Sequence, residues 1–142
     1  MMRKRAFTII ELLVVICVFL IMFAALAPFV RMAKIYANKI NCANNLRQIS
    51  LGLHKYARDH GKKFPKSLGE LYPAYINDGG ILDCPSIKDR AAKNTPDYTY
   101  TQGLTEASPA KEVIVQDADG NHKGAGRNVL RVDGSVDLIL AR

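Results

Sequence analysis

Apolar residues run almost unbroken from Phe7 to Val30, 24 positions that carry one charge, Glu11. As a helix rising ~1.5 Å per residue this run reaches about 36 Å, enough to cross a hydrocarbon core about 30 Å thick. Beyond it the pattern turns one-sided. Ile35, Ala43, Leu46, Ile49, Leu53, Tyr56 and Ala57 recur at three-to-four spacing, while Lys39, Arg47, Lys55 and Arg58 take polar positions. That spacing predicts an amphipathic helix continuing the first. Gly61, after Asp59-His60, is its expected stop. One helix from Phe7 to about Arg58 is therefore expected, bent by Pro28 near the junction of its two halves.

After Gly61 the periodicity is lost. Phe64-Pro65 and the segment Leu71 to Ile76 predict a short helical turn in a loop-rich stretch. Asp83-Cys84-Pro85-Ser86 and Asn94-Thr95-Pro96-Asp97 carry turn chemistry. Tyr98 to Thr101 alternates aromatic and polar residues, and Glu112 to Gln116 is rich in β-branched ones, so both predict strands. Asn128–Val132 and Ser135–Ile139, joined by Asp133-Gly134, read as a hairpin with a two-residue turn. The expected fold class is α+β, a long helix laid on a small antiparallel sheet. The expected division is a leader at 1–6, a membrane half at 7–30, an amphipathic half at 31–60 and a globular domain at 61–142.

Charge narrows the class. The chain carries +7, and setting aside Arg3, Lys4 and Arg5 of the leader leaves +4. The remaining basic residues are scattered and form no aromatic-basic platform, which argues against nucleic-acid binding. Cys17 lies in the apolar run and reads as a small hydrophobe. Cys42 and Cys84 both follow the membrane segment. If that side is extracytoplasmic they can pair, closing a 42-residue loop worth about 4 kcal/mol; two free thiols are the other reading.

A carboxylate at membrane depth costs on the order of 3 kcal/mol at the centre of a helix. Glu11 is thus expected to have a partner; a carboxylate snorkelling to the interface is the plainer account. Two rivals to an assembling anchor stand beside it. One is a removable secretory signal cut after Ala25-Leu26-Ala27, against which stand Glu11 in the apolar core and Pro28 after the cut. The other is a plain signal anchor carrying a monomeric extracytoplasmic binding domain. Arg31, Lys34 and Lys39 follow the run as closely as Arg3, Lys4 and Arg5 precede it, so basic residues alone leave the orientation open.

Lys4-Arg5-Ala6-Phe7-Thr8-Ile9-Ile10-Glu11-Leu12 resembles the prepilin cleavage and methylation signal of type IV pilins and type II secretion pseudopilins. The resemblance implies cleavage between Ala6 and Phe7 by a prepilin peptidase, which also methylates the new amine. Ala6 stands where that family has Gly, and Pro28 matches its helix-bending proline. In the family the residue equivalent to Glu11 is thought to pair with the first-residue amine of a neighbouring subunit. The implied partners are that peptidase/methyltransferase, other pilin-like subunits and an inner-membrane assembly platform. The implied topology is single-pass in the inner membrane, N-terminus cytoplasmic, C-terminal domain periplasmic or extracellular. A second resemblance lies in Cys42-Ala43-Asn44-Asn45-Leu46-Arg47-Gln48-Ile49, Cys84-Pro85-Ser86 and the segment from His122 to Asp133-Gly134. These look like the bacterial prepilin-like proteins with a C-terminal His-and-Asp-Gly signature, although ten residues rather than nine separate His122 from Asp133. Together the resemblances imply a structural subunit of a type II secretion pseudopilus or type IV pilus-like filament.

The soluble part holds little recognisable chemistry. Asp117-Ala118-Asp119-Gly120-Asn121 places carboxylates at alternate positions with a Gly, as calcium loops do, but lacks the closing Glu. Asp117 and Asp119 are candidate calcium ligands; a polar turn between strands is the plainer reading. His54, His60 and His122 match no compact metal motif. No Ser or Cys is recognisably paired with a base, so no catalytic role is expected, and no other cofactor.

Overall fold

A computed structural model describes residues 8–87, 97–118, 121–122 and 126–140. The chain divides into two compact units, Met1–Lys34 and Ile35–Arg142, and helix α1 (Ile9–Asp59) contributes to both.

In the first unit α1 carries almost nothing but apolar side chains. Every described residue from Thr8 to Lys34 is exposed, Leu20, Phe23 and Phe29 among them. The helix is long and apolar enough to cross a membrane. Its assignment runs through Pro28 without a break.

In the second unit α1 becomes one-sided. Cys42, Leu46, Ile49, Leu53 and Ala57 are buried along one stripe, as the three-to-four spacing predicts. Each fully buried leucine or isoleucine contributes about 1.5–3 kcal/mol. Gly52 lies in the same stripe. A Cβ there would come within 2.9 Å of the Ile76 side chain, so the missing side chain lets that loop pack close to the helix. The helix stops where Gly61 turns left-handed, at φ +63. The Lys62 N–H reaches back to the Ala57 carbonyl at 2.7 Å, the closure for which glycine is favoured.

Two short 3₁₀ turns follow, Leu68–Leu71 and Gly79–Leu82. Ser67 and Glu70 form a reciprocal capping box on the first. Leu71 and Ile76 from this segment enter the core.

Four strands then form an antiparallel meander in the order β1-β2-β3-β4. They are β1 (Tyr98–Tyr100), β2 (Val113–Asp117), β3 (Arg127–Arg131) and β4 (Val136–Ile139). All four fall where strands are expected from the sequence, and the fold is the α+β arrangement expected of a pilin-like chain. The register places Tyr98 opposite Asp117, Gln116 opposite Val129 and Leu130 opposite Val136. A bulge between Val113 and Val115 leaves Ile114 as the extra residue of β2. Ile114 and Val115 are buried, as are Val129 and Leu130 of β3; Ile114, Val115 and Leu130 share a core with the α1 stripe.

The β3–β4 turn corrects one expectation. The two-residue Asp-Gly turn is a three-residue loop, Val132 to Gly134. The Gly134 N–H donates to the Arg131 carbonyl at 3.0 Å, and the Arg131 N–H donates to Ser135 at 2.9 Å. Gly134 takes φ +82, the left-handed position that such loops end on. The reason is Val132, which turns inward to near-complete burial while its N–H bonds the Glu112 carbonyl at 3.0 Å. Asp133 then braces the turn by accepting from the Ser135 N–H at 2.9 Å and its hydroxyl at 2.6 Å.

Candidate functional site

Among the described residues, two places carry chemistry beyond packing. The first is the start of α1. Glu11 sits in its first turn. The Glu11 N–H donates to the Thr8 carbonyl at 3.1 Å and to the Thr8 hydroxyl at 3.4 Å, so Thr8 caps the helix. The Glu11 side chain is exposed among exposed Ile9, Ile10, Leu12 and Leu13. Ala6 and Phe7, the expected cleavage and methylation residues, lie outside the described residues.

The second place is a buried polar cluster inside the second unit. It joins Cys42 of α1, Cys84 of the loop after the second 3₁₀ turn, Tyr98 of β1, Asp117 at the end of β2, His122 beyond it and Asn128 of β3. Asp117 is its hub. Oδ2 accepts from the Asn128 N–H at 2.8 Å and from the Asn128 side-chain amide at 3.0 Å. The same oxygen lies 3.0 Å from His122 Nε2. Oδ1 accepts from the Cys42 thiol at 2.8 Å, and the Tyr98 hydroxyl lies 3.2 Å from that sulfur. The Asn128 amide also donates to the Lys39 carbonyl at 3.1 Å, which ties β3 to the helix.

Cys84 opens a Cys-Pro-Ser turn held on both sides. Its N–H donates to Asp97 Oδ2 at 2.8 Å, and the Ile87 N–H closes the turn on its carbonyl at 3.1 Å. The Cys84 sulfur lies 3.9 Å from His122 Nε2, and His122 Nδ1 lies 3.0 Å from the Ser86 hydroxyl. The sulfurs of Cys42 and Cys84 and a ring nitrogen of His122 all lie within 4.8 Å of one another, and all three residues are buried.

The charges in this cluster sustain one another. Burial opposes ionisation of Asp117, but His122, the Cys42 thiol and the Asn128 N–H hold its carboxyl below the usual range. Burial alone would lower His122, yet Asp117 and Cys84 raise it to about 9. Cys42 is pushed up, first by its neighbour Cys84 and then by burial and Asp117. Cys84 is drawn down to about 5 by its contact with Cys42, against burial and with help from His122 and the Ser86 N–H. The contacts thus favour the charged forms of Asp117, His122 and Cys84 and disfavour that of Cys42.

The expected site residues fare unevenly. Cys42 and Cys84 are brought together, but as two free thiols rather than a bridge. Each has its own partner, Asp117 for Cys42 and His122 for Cys84. Asp117, a candidate calcium ligand, is turned inward. Its carboxylate is fully buried and is already met by Cys42, Asn128 and His122, so it has no oxygen to turn outward; Asp119 lies outside the described residues. His122, whose spacing matches no compact metal motif, is brought beside Cys42 and Cys84 by the fold. His54 is half-exposed and pairs with Glu106 at 3.1 Å, and His60 is exposed and stacks on Tyr56; neither belongs to the group that Cys42, Cys84 and His122 form.

Residues 33–77 match a family model described as a protein of unknown function (DUF1559). The matched part spans the amphipathic half of α1, Cys42 included, and the first 3₁₀ turn. No curated protein matches the chain, and no solved structure does.

Proposed function

We propose that this chain is a pilin-like structural subunit. It is cleaved between Ala6 and Phe7, methylated on the new amine, and assembled through its apolar helix into a type II secretion pseudopilus or type IV pilus-like filament. One observation carries the reading: Glu11, exposed in the first turn of α1, is the one charge before Val30 in a helix that continues into a packed α+β unit. In lipid such a group is costly and by default marks a partner. The amine that cleavage would create at Phe7 lies about one helical turn away in the chain, and a neighbouring subunit would present the same amine. Pairing offsets desolvation only when geometry is good, so the pair would set the register between helices. The family match over residues 33–77 is compatible with a pilin-like protein.

The working parts are then mechanical. The prepilin peptidase/methyltransferase and an inner-membrane assembly platform act on the N-terminal segment, and the second unit presents the outer surface of the filament. Membrane insertion has the N-terminus cytoplasmic and the C-terminal unit on the far side.

Glu11→Ala tests this against the rival, a signal-anchored monomeric binding protein. Loss of filament incorporation with membrane insertion retained is expected. Unchanged assembly, measured as sheared filaments and inter-subunit cross-links, would leave only a plain anchor.

A further inference from the structure

We infer that Cys42, Cys84 and His122 form a zinc site inside the second unit. The geometry points to it first. Two sulfurs and an imidazole nitrogen, all buried, converge within 4.8 Å, and thiolate with imidazole is the donor set that Zn²⁺ takes. They come from three separate stretches: the helix, the Cys-Pro-Ser turn and the segment after β2. A metal here would cross-link parts of the chain 42 and 38 residues apart.

The surroundings are arranged as metal sites require. A histidine ligand needs its second ring nitrogen held by a partner that fixes the tautomer. His122 Nδ1 has the Ser86 hydroxyl at 3.0 Å, which can accept Nδ1–H and leave the Nε2 lone pair toward the sulfurs. The Ser86 N–H also bonds to the Cys84 sulfur, a donor that steadies a thiolate. Metal binding takes the His122 and Cys42 hydrogen bonds from Asp117, but Asn128 keeps two on its carboxylate.

The balance is simple. Zn²⁺ displaces the thiol proton of Cys42 and any proton remaining on Cys84 or on His122 Nε2, and these leave to solvent. Two thiolates and the dication cancel, which suits a buried position, and the Asp117 carboxylate beside them stays bonded to Asn128. The fourth position is left to water or another small donor. No electron transfer is involved.

The test uses the full chain, purified in detergent, reduced and stripped with a chelator, then titrated with Zn²⁺ and with Co²⁺. One metal per chain is expected, with thiolate-to-cobalt charge-transfer absorption and the intense visible bands of a tetrahedral Co²⁺ site. Ser86→Ala is expected to weaken binding by roughly 10–100-fold as the loss of a supporting partner, while Cys17→Ser leaves it unchanged. The wild-type titration needs no variant to fold. Sub-stoichiometric binding, or cobalt spectra without thiolate bands, would overturn the site. So would a single reactive thiol on the denatured protein isolated without reductant, which would mean that Cys42 and Cys84 are joined to each other instead.

Discussion

Asp117 Oδ2 lies 3.0 Å from His122 Nε2, with both side chains almost fully buried. The pair ties the end of β2 to the segment beyond it, and through Cys42 and Asn128 it reaches the helix and β3. Removing one member of such a pair strands the other without compensation, which typically costs about 3–5 kcal/mol. Asp117→Ala is therefore expected to lose about that much, read as a shift of the denaturation midpoint of the metal-free, reduced chain. A loss below about 1 kcal/mol would show that the cluster is not what joins helix to sheet.

Gly52 makes a sharper packing prediction. An added Cβ would sit 2.9 Å from Ile76 Cγ1 and 3.2 Å from its Cδ1. Gly52→Ala favours the helix by about 1 kcal/mol in propensity, but overpacking costs about 1–3 kcal/mol. A net loss of stability is expected, relieved in Gly52→Ala/Ile76→Val. If the double variant is as unstable as the single one, the contact with Ile76 is not the cause.

Tyr100 links β1 to the stretch after the helix, donating its hydroxyl to the Pro65 carbonyl at 2.7 Å. Burial, aided by Glu70 and Tyr56, pushes its phenol up to about 12 from the ordinary 10. A group raised in the folded state contributes stability that is complete below the unfolded value and fades as pH climbs through the folded one. The contribution should be present below pH 10 and lost by about 12. Tyr100→Phe is expected to cost about 1 kcal/mol near neutrality, with the difference from wild type closing over that alkaline window. A difference that stays constant through it would contradict the assignment.

Local pattern carried much of the fold. The apolar run, the stripe through Leu46, Ile49 and Leu53 and the stop at Gly61 follow from periodicity and helix capping over neighbouring residues. So do the strands, because β-branched and aromatic runs flanked by turns are also local signals. What escaped is long-range. His122 meets Cys84 across 38 positions, and Cys42 meets Asp117 across 75. No short spacing encodes those meetings; the α1 stripe and the β2–β3 register create them. The same long-range pull shapes two local features. Asp117 reads locally as a loop carboxylate, yet β2 carries it inward to Asn128. Asp133-Gly134 reads as a two-residue turn, yet burial of Val132 lengthens the loop by one.

The central claim is that the apolar helix is the assembly part of a processed subunit, with Glu11 awaiting the amine of a neighbour. Intact mass and N-terminal fragment masses of the mature chain test it most directly. The account predicts a chain that begins at Phe7 and carries one methyl group on its amine. A chain still beginning at Met1, or one beginning at Pro28 after a secretory cut, would contradict it.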